Sequence, residues 1–137
     1  MRWCSPRGLL VEPFLVQLKL TRNLPKYSAI FFQEAGTGTE PVRDWLKTFP
    51  REDRRLIGID IQTVQFSWPI GKPLADHIEG DIWEIRTRLD NRIARLLFVI
   101  ENSTVVLLHG FIKKTQKTPI AELEVARQRL KRMRAQR

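Results

Sequence analysis

The chain has 137 residues, the size of one domain with a modest core. Its one cysteine, Cys4, excludes an intramolecular disulfide and a cysteine-based zinc site, and no apolar run approaches the roughly 20 residues that span a bilayer. A net charge of +9 favours a polyanionic partner, nucleic acid or an acidic protein.

The charge is uneven. Residues 27–112 carry ten basic and twelve acidic side chains, whereas residues 113–137 carry nine basic and two acidic, and residues 1–26 five and one. Pro6, Pro13 and Pro25 punctuate residues 1–26, whose short apolar pieces keep no period. This stretch reads as an N-terminal extension, disordered or loosely packed, ahead of a domain over residues 27–137. Glu12, Gln17 and Lys19 interrupt its apolar part, which argues against a signal peptide and for a cytoplasmic protein.

Residues 27–33, aromatic and β-branched, predict a strand that Gly36 and Gly38 end. Val42, Trp45, Leu46 and Phe49 share one face of a helix, with Pro41 in its first turn and Thr39 placed to cap it. Pro50 breaks this helix. Glu52 and Asp53 begin a second, whose stripe is Ile57, Ile61, Val64 and Trp68, and Pro69 stops it. The two form a helical hairpin.

Residues 82–89 alternate, with Trp83, Ile85 and Leu89 on one face and Glu84, Arg86 and Arg88 on the other. Asp90-Asn91 and Asn102-Ser103 mark turns around residues 92–100 and 104–112, the first of which reads as a central strand covered on both sides. Residues 120–133 predict a helix with a thin stripe of Leu123, Ala126 and Leu130. The order β-α-α-β-β-β-α describes an α+β domain with a helical hairpin on a mostly antiparallel sheet.

The run His109-Gly-Phe-Ile-Lys-Lys-Thr-Gln-Lys-Thr-Pro119 leaves a strand and enters a helix. Lys113, Lys114 and Lys117, with Thr115 and Thr118, offer ammonium groups and hydroxyls beside a helix N-terminus, as a phosphate site needs. Arg95 stands between Ile93 and Leu97 in the most apolar strand, so it meets a carboxylate, for which Glu84 is suited, or opens into a cleft. For Arg86 and Arg95 both structural pairing and phosphate contact are open. His77 reads as solvent-facing in a loop, His109 as packed or hydrogen-bonded, and Trp45, Trp68 and Trp83 as core. No metal-ligand spacing or glycine-rich phosphate loop is present, so neither metal nor cofactor is expected.

Ile82-Trp-Glu-Ile-Arg86, Arg92-Ile-Ala-Arg-Leu-Leu-Phe98 and Val106-Leu-Leu-His-Gly-Phe-Ile-Lys-Lys-Thr-Gln-Lys-Thr-Pro119 together resemble the RelE/HigB toxin superfamily, in its phage-derived HigB-like branch. Glu40-Pro-Val-Arg-Asp-Trp-Leu46 and Thr63-Val-Gln-Phe-Ser-Trp-Pro69 resemble the same branch, so the likeness covers residues 27–130. It implies a RelE-like fold and the toxin of a type II toxin–antitoxin pair, a metal-independent endoribonuclease. Such a toxin cuts mRNA on the ribosome through attack of the neighbouring 2′-hydroxyl on the phosphate. An antitoxin, often with a helix-turn-helix domain, would block the site. The resemblance assigns catalysis to Arg86, Arg95, Lys113 and Lys114, and RNA contact to Arg92, His109, Thr115 and Lys117. Relatives often end in a tyrosine or a His/Asp/Tyr cluster; here the only tyrosine is Tyr27, which leaves general acid and base unassigned. A same-fold toxin acting on gyrase and a non-catalytic RNA- or ribosome-binding module are the alternatives.

Overall fold

A computed structural model describes residues 24–114 and 117–136, so the expectations for residues 1–23 and for Thr115 lie outside the described residues. Strand β1 (Ser28–Phe31) leads into helix α1 (Pro41–Lys47) and helix α2 (Arg51–Ser67). Strands β2 (Ala75–Glu79), β3 (Ile82–Arg88), β4 (Ile93–Glu101) and β5 (Thr104–Ile112) follow, and helix α3 (Ile120–Ala135) ends the order. The strands make one sheet, β1-β5-β4-β3-β2, in which only the β1–β5 pair is parallel.

Strand β2 corrects the expected order, which held four strands and placed His77 in a loop. Its sequence Ala-Asp-His-Ile-Glu is polar because it is an edge strand, with a shift in its pairing to β3 between His77 and Glu79. Edge strands of this kind lack the apolar alternation that reveals a strand. His77 is nonetheless exposed as expected, its Nε2 lying 2.7 Å from the Gly80 carbonyl. The α1 cap differs too. Glu40, not Thr39, holds the cap position without a side-chain bond, because Thr39 is engaged in the preceding turn, where its carbonyl accepts from the Glu34 N–H.

Two apolar layers enclose the sheet. On one face Val42 and Leu46 of α1 and Ile57, Ile61 and Val64 of α2 pack on Ile85, Leu96 and Phe98. On the other, Leu123, Ala126 and Leu130 of α3 pack on Leu97, Val99 and Leu108. The central strand β4 is therefore covered twice, which explains its near-continuous apolar run. Trp68 and Trp83 meet edge to face at 4.8 Å and pack, partly buried, against the first layer.

Strand β5 carries one extra residue. Leu97 pairs with His109 and Phe98 with Leu107, so the ladder skips Leu108. This bulge sends both Leu108 and His109 toward α3. It also sets Gly110 under α1, where an added Cβ would lie 2.3 Å from the Trp45 ring. The glycine of the His-Gly-Phe run is thus a packing requirement. Gly110→Ala should cost about 1–3 kcal/mol through overpacking against Trp45. Urea denaturation of the single variants and the Gly110→Ala/Trp45→Leu pair checks this: the alanine should cost much less once the indole is gone.

Candidate nucleic-acid interface

The register of three strands builds the site. Arg86 on β3 faces Arg95 on β4, and Arg95 faces Phe111 on β5, so these residues form one row on the α3 side of the sheet. The Lys113 N–H continues the ladder to the Ile93 carbonyl at 2.8 Å, which fixes the first lysine of the basic run beside that row.

Arg95 is buried, with 1% of its surface exposed, and Glu84 is wholly buried. Arg95 Nη1 donates to both Glu84 oxygens at 3.0 Å. The carboxylate partner considered from sequence is therefore real. A catalytic role for Arg95 in direct contact with RNA is not what this geometry offers, because the side chain lies beneath the surface. Arg86 is better placed. Its Nε donates to Glu84 Oε1 at 3.1 Å and its Nη2 to Asp76 Oδ2 at 3.0 Å, while the side chain keeps 30% exposure.

Lys113 is half-buried next to these guanidiniums. Desolvation and the charges of Arg95 and Arg86 hold its ammonium below the ordinary lysine pKa, against an opposing pull from Glu84. Lys114 is exposed. Both lysines line an open cleft of about 540 Å³ with Arg88, Asp90, Asn91 and Arg92, floored by Leu89 and Ile93. Arg88 was not among the residues assigned from sequence, although the alternation placed it on the Arg86 face. Lys117 is exposed at the far side of the run. Thr118, whose hydroxyl looked like a phosphate donor, instead donates to Glu84 Oε2 at 3.0 Å.

Two residues expected to contact RNA have partners within the protein. Arg92 donates to Asp53 Oδ2 at 3.1 Å, with its guanidinium over the Phe49 ring, which ties it to the helical-hairpin side of the sheet. It reaches the cleft wall but not the Arg86 row. His109 lies between β5 and α3, with Nε2 2.6 Å from Glu122 Oε1 and Nδ1 3.3 Å from Arg129 Nη1. An arginine donates to Nδ1, so the imidazole is neutral with its proton on Nε2. It is a joint between strand and helix.

Burial, joined by the Arg129 charge, pushes the His109 pKa below its ordinary 6.5 against the pull of Glu122. The folded chain therefore resists a proton that the unfolded chain accepts. This stability is complete above about pH 6.5 and is lost as pH falls below it, at up to about 1.4 kcal/mol per pH unit. Urea denaturation between pH 7.5 and 5.5 should show this slope in the wild type and a shallower one in His109→Gln; equal slopes would remove His109 as its source.

The cationic C-terminal end is also rearranged. Arg127 pairs with Glu79 at 2.6 Å, Arg132 with Glu34 at 3.1 Å, and Arg134 with Asp81 at 2.9 Å and with Glu101. These α3 arginines clamp the helix to the rest of the domain. Beside the Arg95 row, the basic groups with exposed surface include Arg86, Arg88, Lys113 and Lys114.

A five-stranded, mostly antiparallel sheet between a helical hairpin and a third helix is compatible with a RelE-like toxin fold. Residues 44–131 match the family described as "Phage derived protein Gp49-like (DUF891)", and the chain belongs to that family, which is toxin-like and of the RelE kind. A search of curated proteins returns no match. Among the described residues, no helix is long and apolar enough to cross a membrane.

Proposed function

We propose that the protein is the toxin of a type II toxin–antitoxin pair, a HigB-like endoribonuclease that cuts mRNA on the ribosome in the cytoplasm. One observation carries the reading: Arg86, held by two carboxylates, and Lys113 lie together on one sheet face next to a basic cleft. Attack of a 2′-oxygen on the adjacent phosphorus forms the O2′–P bond and breaks the P–O5′ bond. Negative charge gathers on the phosphoryl oxygens between these events, and fixed cationic donors stabilise it most at that moment. Arg86 is the donor at the surface, Arg95 supplies positive potential from beneath, and Lys114 and Arg88 hold the flanking backbone. Lys113, its proton loosened by its neighbours, is the group suited to proton transfer with a reacting oxygen. The cognate antitoxin, a helix-turn-helix protein in this reading, would silence the site.

Pulse labelling after induction separates this from a gyrase-directed toxin of the same fold. Amino-acid incorporation should collapse while DNA synthesis continues at first; early arrest of DNA synthesis with intact messages would overturn the assignment. The burial of Arg95 and the commitment of both His109 nitrogens favour a second reading, an RNA- or ribosome-binding module without chemistry. That protein would bind RNA with steep salt dependence and leave every message whole.

A further inference from the structure

Glu84 does more than neutralise a buried arginine. Its Oε1 accepts from Arg86 Nε at 3.1 Å and Arg95 Nη1 at 3.0 Å, and its Oε2 accepts from Arg95 Nη1 and Thr118 Oγ1, each at 3.0 Å. One buried carboxylate thus joins β3, β4 and the segment just before α3. Asp76, on the edge strand, takes Arg86 Nη2 at 3.0 Å. The Arg86 guanidinium is gripped at two of its three nitrogens, and Nη1 has no partner among the described residues. Asp76, which Lys72 Nζ also approaches at 4.0 Å, and Glu84 supply two negative charges against four positive ones on Lys72, Arg86, Arg95 and Lys113. The cluster keeps a surplus of two cations.

A long side chain fixed before binding loses little rotamer freedom when an anion arrives. We propose that Glu84 is a positioning residue for phosphate binding, which with Asp76 fixes Arg86 and through Thr118 anchors the end of the basic run beside it. The role rests on the RNA-directed reading above. A glutamate that only balanced Arg95 would affect stability and leave both the order of Arg86 and the affinity for a polyanion unchanged.

The test uses the full chain labelled with nitrogen-15, observing the arginine Nε–Hε groups, and a short 2′-O-methyl RNA, which lacks the attacking hydroxyl. In the wild type the Arg86 Hε should exchange slowly with water and its signal should move on addition of the RNA. Glu84→Gln should speed that exchange and weaken binding about tenfold at low salt, the size expected from losing one charge-assisted bond. Thr118→Val should weaken it a few-fold. Free-arginine exchange of the wild-type Hε, no RNA binding by the wild type, or a folded Glu84→Gln with unchanged affinity would each overturn the proposal. Where Glu84→Gln does not fold, Asp76→Asn and Thr118→Val decide, weaker binding supporting the role and unchanged binding removing it. A chain that shows the ordered Arg86 and the affinity losses but leaves messages uncut defeats the cleavage reading and keeps the positioning role.

Discussion

Glu84→Ala should cost about 3–5 kcal/mol of folding stability, the range for breaking a buried pair from one side. The variant leaves the Arg95 guanidinium, 1% exposed, without the carboxylate that both its bonds from Nη1 address. It also releases Thr118 and one side of Arg86. A domain of this size has about 5–15 kcal/mol in all, so the variant sits near the threshold of folding. Removing both charges should be milder. Glu84→Leu with Arg95→Met replaces the pair by apolar volume across the buried faces of β3 and β4, and replacements of that kind are often neutral. Urea denaturation of both proteins checks the difference; a Glu84→Ala loss below about 1 kcal/mol would mean that the pair is not desolvated as described.

The second large effect is on activity. Arg86→Ala and Lys113→Ala should each lower RNA cleavage roughly 100- to 1,000-fold, the first as loss of a preorganised donor at a developing oxyanion and the second as loss of the proton-transfer group. Their folding should be little disturbed, since Arg86 is partly exposed and Lys113 lies at the end of its strand. Arg95→Ala should also be inactive, but with a clear drop in stability. Relief of growth arrest with undiminished melting temperature for the first two, and with a lowered one for the third, separates the surface donors from the buried one. Full toxicity of Arg86→Ala and Lys113→Ala together would place the chemistry elsewhere.

The sequence carried the parts of this fold that obey local rules. The α2 stripe, the doubly covered β4 and the two tight turns follow from periodicity and turn chemistry, and each lies where those rules put it. Strand β2 did not announce itself, because an edge strand with Asp76, His77 and Glu79 has no apolar period. The fate of Arg95 was half legible: its apolar neighbours demanded a carboxylate, and the β3 alternation offered Glu84. Whether the residue was then left for RNA depended on its burial beside Glu84, Phe111 and the Thr118 segment, which separate parts of the chain supply.

Arg92 shows how the pleat divides a motif. It shares a motif with Arg95 but is an odd number of residues away, so the pleat sends it to the other face, toward Asp53 and Phe49. The cationic tail misled for a related reason. Charge counts along the chain see nine basic residues after residue 112, but they do not see Glu34, Glu79, Asp81 and Glu101 waiting for the α3 arginines. The place of His109 at the end of an apolar strand implies packing or hydrogen bonding, and the bulge at Leu108 is what turns it onto Glu122 and Arg129.

The most direct measurement is primer extension on one defined message in a translating extract, with purified protein added and ribosomes either present or withheld. Cuts spaced by codons, appearing only with ribosomes and absent with Arg86→Ala, are the predicted result. An intact message under translation, with the protein bound to ribosomes, would contradict cleavage and leave a binding module in its place.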